Sequence, residues 1–283
     1  MLMFKFLRFP NFKGKAVTLS YDDGVIYDRP LIEILNKYGL KCTFNVNTGM
    51  FRDEFPDQKR LSKAEATELF SAHPEHEVAL HGHKHLSLAN CSEKDGIIDI
   101  VDNRRILETM FNRLVRGMAY ANASFDDRVV KYLKELDICY SRTTDATHEF
   151  KMPREWLKWN PTCHHNDEKL FDLVAEFNAI QYNNTFADPI LFYLWGHSYE
   201  FHDFDNWDRI EKFCKEIGGK DDVWYCTNIE LYNYTQAYNS LVWSADNKII
   251  YNPSLFDVYL QIDCIPVKVK SGETVFFKNE PIY

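Results

Sequence analysis

Short β-branched or aromatic runs alternate with helical patterns along most of this chain, and that alternation limits its fold more than any other feature. The runs are 16–21, 42–47, 77–82, 116–121, 138–143, 190–196 and 223–228. Helical patterns occupy 29–39, 62–72, 92–112, 124–137, 166–179 and 206–218. Strand–helix repetition implies a parallel sheet, because a crossover between parallel strands needs a helix-sized connection. The runs are apolar on both faces, as buried parallel strands are. Seven repeats fall one short of an eight-fold barrel. The pattern therefore predicts an α/β protein with a distorted (β/α)7-type barrel, ahead of an open doubly wound sheet.

Helix punctuation agrees. Ser62 and Glu65 form a capping-box pattern, and Ser124 with Asp127 resembles one. Gly39 and Gly218 suit helix C-termini. The stripe Ile97, Ile100, Val101 and Ile106 or Leu107 is read as barrel packing. After a last helix at 229–241 the periodicity changes to alternating runs broken by the turn signals Ala-Asp-Asn-Lys, Asn-Pro-Ser and Lys-Ser-Gly-Glu. The expected division is a barrel over 1–241 and a small antiparallel β-rich appendage over 242–283.

At 283 residues and 45% hydrophobic content, the chain can bury such a core. Its net charge of −9 argues against a nucleic-acid partner. The first 15 residues are interrupted by Lys5, Arg8 and Pro10 and do not read as a signal peptide. No run approaches the roughly 20 apolar residues of a membrane span. The seven cysteines are scattered without a Cys-x-x-Cys pair, which suits reduced thiols and gives no cysteine zinc site. A cytoplasmic location is expected.

In parallel α/β folds, chemistry gathers at the C-terminal ends of strands. The first run ends in Asp22-Asp23-Gly24, the third in His81-Gly-His83-Lys-His85, the fourth near Tyr120, and the sixth in His197. Placed on a helical turn, His81 and His85 would share one side, with His83 pointing elsewhere. Asp23 can add a carboxylate, and two imidazoles with one carboxylate suit a catalytic divalent metal. A metal lowers the pKa of its water and polarises a carbonyl. Asp22 can then accept the water's proton, and His197 can protonate a leaving group. Gly24 would ease the backbone turn.

Ser20-Tyr21-Asp22-Asp23-Gly24, the pair His81 and His85, and Leu194-Trp195-Gly196-His197 stand in the order found in the polysaccharide deacetylase family, also called the NodB-homology domain or carbohydrate esterase family four. The resemblance covers roughly residues 14 to 237. It implies a distorted barrel of fewer than eight units, with Asp22 as base, His197 as acid, and Asp23, His81 and His85 as metal ligands. Zinc is the implied metal, with cobalt or nickel as substitutes. The implied reaction removes acetyl groups from a sugar, oligosaccharide or sugar conjugate, N-acetyl ahead of O-acetyl. The third motif is altered to Gly117-Met118-Ala119-Tyr120-Ala121. Tyr120 matches and would offer its backbone N–H to an oxyanion. The motif's Arg has no counterpart, because Arg116 is out of register. Arg142 is the candidate substitute, and Asp145 is a loose candidate for the fourth motif.

Trp195 and Tyr199 flank His197 and are candidates for stacking on sugar faces. Trp159 and Trp207 are read as core. His164 and His165 lie in a long irregular segment and are read as surface residues ahead of a polar wall of the site. Two other functions remain open on this scaffold. One is hydrolysis of a non-sugar amide such as a cyclic ureide or imide, and the other is non-catalytic carbohydrate binding.

Overall fold

A computed structural model describes residues 4–55, 57–182 and 186–277. The chain opens with β1 (Lys5–Arg8), β2 (Lys15–Asp22), α1 (Asp28–Lys37), β3 (Cys42–Val46), α2 (Lys63–Ala72), β4 (Glu77–Leu80), α3 (Glu93–Phe111), β5 (Gly117–Ala119), α4 (Asp127–Glu135) and β6 (Tyr140–Arg142). A long irregular segment leads to β7 (Cys163–His164), α5 (Leu170–Ala179), β8 (Ile190–Gly196), α6 (Ser198–Asp203), α7 (Trp207–Ile217), β9 (Val223–Tyr225) and α8 (Asn228–Asn239). Each expected strand run contains a strand. The sequence reading did not anticipate β1, β7 and α6.

The parallel strands lie in the order β6-β5-β4-β3-β2-β8-β7, and β9 pairs with β2. β2 is the hub. It pairs with β8 over Lys15–Tyr21, with β9 over Lys15–Val17 and with β3 over Leu19–Asp22. Each of its eight residues is buried. The sheet curls into a half-barrel, and backbone hydrogen bonds join its edges. Trp159 N–H donates to Ser141 at 3.0 Å and Thr143 N–H to Trp159 at 2.9 Å; Thr162 N–H then donates to Tyr193 at 2.8 Å. This answers the choice between a barrel and an open sheet in favour of the curled form.

Leu19, Tyr21, Phe44, Val78, Phe192 and Leu194 pack with Leu31, Ile32, Leu107, Leu133 and Phe213 of the helices. Each such fully buried side chain stabilises by about 1.5–3 kcal/mol relative to exposure. The Ser62–Glu65 capping box is present. At α4 the cap is Asp126, whose side chain accepts from Val129 N–H, not Ser124. Ser124 Oγ instead accepts from Ala89 N–H at 3.1 Å.

The tail is antiparallel. It comprises β10 (Val242–Trp243), β11 (Ile249–Tyr251), β12 (Val258–Ile262), β13 (Ile265–Val269) and β14 (Thr274–Phe276). β1 joins β12 and β13 in one three-stranded sheet, tying the chain's first strand to its last segment. Among the described residues, no helix is long and apolar enough to cross a membrane.

Candidate active site

Asp22 is the last residue of β2 and Asp23 the first beyond it. The backbone turns sharply there, with φ of +89° at Asp23 and +65° at Gly24. A glycine occupies the second position because side-chain-bearing residues rarely adopt that region. Asp23 N–H donates to Asn45 of β3 at 2.9 Å, which keeps the turn on the sheet.

His81 follows β4, but the 81–85 segment is a loop and not the helical turn expected. Gly82 has φ +79° and His85 φ +55°. A Cβ on Gly82 would fall 2.5 Å from Asp99 Oδ2. That carboxylate accepts from His83 N–H at 3.0 Å and Lys84 N–H at 2.7 Å, shaping the loop. The loop still brings the rings of His81 and His85 together, with centroids 4.9 Å apart. His83 turns away, its Nδ1 3.0 Å from Thr48 Oγ1.

The residues present suit a divalent cation. Asp23 Oδ1 is buried without a hydrogen-bond donor. It lies 3.8 Å from His81 Nε2 and 3.7 Å from His85 Nε2. His81 Nδ1 is 2.9 Å from the Ala119 carbonyl, so that nitrogen carries the proton and Nε2 keeps its lone pair. Burial, with His81 nearby, pushes His85 down to about 4, so its ring is neutral at pH 7. Arg60 also holds this corner, donating to the Asp23 carbonyl and lying 3.3 Å from Oδ1.

Asp22 is buried and accepts from Asn45 Nδ2 at 2.8 Å. Its other oxygen pairs with the Arg142 guanidinium, itself fully buried. Arg142 stands at the end of β6, where the curl of the sheet faces it toward β2. Burial alone would raise the Asp22 pKa. The Arg142 charge, with His81 and His197, outweighs burial and holds it at about 2. Arg116 instead donates to Asp137 O at 3.2 Å, and Asp145 is exposed.

His197 caps α6 and lies 4.0 Å from Asp22 Oδ2 through Nε2. Its Nδ1 is 3.2 Å from Glu200 Oε1. Burial lowers its pKa, but Glu200, Asp22 and Asp23 prevail and the net shift is upward. Glu200 was not picked out from the sequence. Its position three residues after His197, at the start of a short helix, is the signal that could have found it.

Two sequence expectations for the wall change. Tyr120 N–H donates to the Arg142 carbonyl at 3.0 Å, and the buried Tyr120 hydroxyl donates to Leu157 O at 2.8 Å. Both donors are therefore engaged within the fold, the N–H by β6 and the hydroxyl by the turn around Leu157, and Tyr120 packs in the core. His164 and His165 belong to the wall and not to the surface. His165 is 1% exposed, stacked on Tyr21 with centroids 5.7 Å apart, and His164 packs edge-on against Trp195 at 4.6 Å. Trp195 is buried with its ring 4.2 Å from the Arg142 guanidinium, so it braces that cation from within. Tyr199 is half-buried, 5.2 Å from the His197 ring.

Residues 10–141 match the family model described as polysaccharide deacetylase. No curated protein matches the sequence. Among solved structures, a protein assigned as a polysaccharide deacetylase from Mycobacterium smegmatis aligns with a TM-score of 0.57 and 18% identity, over 82% of this chain and 94% of that one. The peptidoglycan deacetylase PdaC from Bacillus subtilis aligns with a TM-score of 0.51 and 17% identity, over 82% and 96%. The deacetylase PplD from Streptococcus pyogenes aligns with a TM-score of 0.44 and 22% identity over 50% of this chain, which spans 61% of its length. At these identities the likeness to the Mycobacterium smegmatis and Bacillus subtilis proteins is one of fold.

Proposed function

We propose, from the premise that this chain belongs with the polysaccharide deacetylase family through residues 10–141, that it is a metal-dependent hydrolase releasing acetate from an acetylated sugar, oligosaccharide or sugar conjugate. The observation that carries this reading is the placement of Asp22 Oδ2. It lies 3.7 Å from His81 Nε2 on one side and 4.0 Å from His197 Nε2 on the other. A base thus stands between the candidate ligand set and a candidate acid.

Asp23, His81 and His85 would hold the cation, zinc first and cobalt or nickel as substitutes. When bound, it supplies a Lewis acid for the acetyl carbonyl and the attacking water. Asp22, kept ionised by Arg142, accepts the water's proton as the oxygen bonds to the carbonyl carbon. His197 donates its Nε2 proton to the leaving atom as the bond to the acetyl carbon breaks. The products are acetate and the free amine or alcohol. An amine is the poorer leaving group and depends on that proton, so a histidine of raised pKa favours N-acetyl substrates. The Tyr199 ring beside His197 is the surface on which a sugar face would stack.

The test is acetate release from N- and O-acetylated mono- and oligosaccharides by zinc- or cobalt-loaded protein, beside Asp22→Asn. Acetate from the wild type alone supports the reading and ranks the substrates. Silence from a protein that holds metal overturns it, in favour of a non-sugar amide or of binding without turnover.

A further inference from the structure

Glu200 was given no part in the reaction just described, although it touches His197. His197 Nδ1 lies 3.2 Å from Oε1. Oε2 accepts from Asn166 Nδ2 at 3.2 Å and lies 3.2 Å from His164 Nε2. His165 Nε2 is 2.8 Å from the same oxygen but makes no aligned hydrogen bond. His164, His197 and Glu200 are close enough together to hold a second cation. The tautomer of His164 argues against that use. Asn166 N–H donates to His164 Nδ1 at 3.1 Å, so Nδ1 carries no proton. The neutral ring then carries its proton on Nε2, the atom facing Glu200, and offers no lone pair there.

We propose that Glu200 is a positioning residue for His197, a role that rests on the reading of His197 as the acid. The carboxylate accepts the Nδ1–H hydrogen bond and so points Nε2–H toward Asp22. It takes no proton itself. His164, the last residue of β7, and Asn166 just beyond it hold its other oxygen, so the carboxylate cannot rotate away. Trp195 and Tyr199 flank the His197 ring at 5.7 Å and 5.2 Å and limit its swing. Gly196 permits this packing, because a Cβ there would meet the His165 ring at 1.9 Å.

The experiment compares wild type, Glu200→Gln and His197→Ala on an N-acetylated oligosaccharide and on 4-nitrophenyl acetate, whose leaving group needs no proton. Zinc affinity and near-UV circular dichroism control for folding. Glu200→Gln is expected to lose about tenfold to a hundredfold on the amide, part of what an acid contributes. It should change the aryl ester by about twofold at most, and the high-pH limb of the amide rate should move to lower pH. Equal losses on both substrates with an unmoved limb overturn the proposal. Nitrogen-15 spectra of the histidines decide independently of activity. A held Nδ1–H on His197 that disappears in Glu200→Gln supports the positioning even if no sugar is turned over, in which case only the deacetylase reading falls. An unchanged His197 signal rejects the proposal.

Discussion

Arg142, at the end of β6, and Asp22, at the end of β2, are 120 residues apart in sequence and form a buried ion pair at the centre of the site. The pair accounts for a carboxylate that is buried and yet ionised. Arg142→Met leaves the carboxylate without its partner, and removal of one member of such a pair costs about 3–5 kcal/mol. The Asp22 pKa is depressed, so the pair's contribution is full above the ordinary value of 3.8 and is lost as pH falls through about 2. Urea unfolding at pH 7 should show the deficit, and the gap between variant and wild type should narrow in acid. Equal midpoints at pH 7 would show that the pair does not stabilise the fold.

Zinc binding should separate the three histidines of one loop. Asp23→Ala, His81→Ala and His85→Ala each remove a candidate ligand and should weaken zinc by at least about tenfold, since even outer partners are worth that much. His83→Ala should leave the affinity unchanged, because His83 faces Thr48. Competition with a chromophoric chelator reads this directly. Chelator treatment should also abolish acetate release, and zinc should restore it.

Tyr120→Phe tests the corrected role of that residue. The variant loses the hydrogen bond to Leu157 O, which should cost about 1 kcal/mol. Turnover should stay within about twofold, since the hydroxyl is spent on Leu157 O and the substitution leaves the backbone N–H in place. A drop in kcat of a hundredfold with stability intact would restore Tyr120 to the site.

A second buried carboxylate sets a pH dependence away from the chemistry. Glu77 accepts from Thr43 Oγ1, Ile229 N–H and Tyr140 Oη at 2.8, 2.9 and 2.7 Å. Burial still pushes it up to about 7. A carboxyl raised in the folded state stabilises below its unfolded value near 4.5, and that stability is lost as pH rises through 7. Glu77→Gln should remove this component. The stability difference between wild type and variant, followed from pH 4 to 8, should decline with pH, and a flat difference would refute the assignment.

Local pattern was sufficient for the main strands and helices and for the candidate ligand set, though not for β1, β7 and α6. A strand apolar on both faces must be buried on both, and strands joined through helices must run parallel. The ends of β2, β4 and β8 then gather on one rim. For that reason Asp22, Asp23, His81, His85 and His197 could be named before any contact was known. The 81–85 segment is a loop and not a helical turn, because the four-residue spacing of the two histidines does not fix the backbone and Gly82 adopts φ +79°. Asp99, a helix residue 17 positions on, pins that glycine's loop in a left-handed conformation.

What tertiary structure decided was which groups face one another across the curl. A one-residue offset in a strand reverses a side chain, so Arg116 leaves the site; the register of β6 beside β5 puts Arg142 in it. The same closure carries His164 and His165, in a segment with no strand periodicity of its own, against β8 and Glu200. Sequence determined the main elements and the candidate ligand types, because hydrophobic period and residue chemistry are local. Only the fold decided the partners of Asp22 and His197, because charge pairing depends on distances that strand register and sheet curvature set.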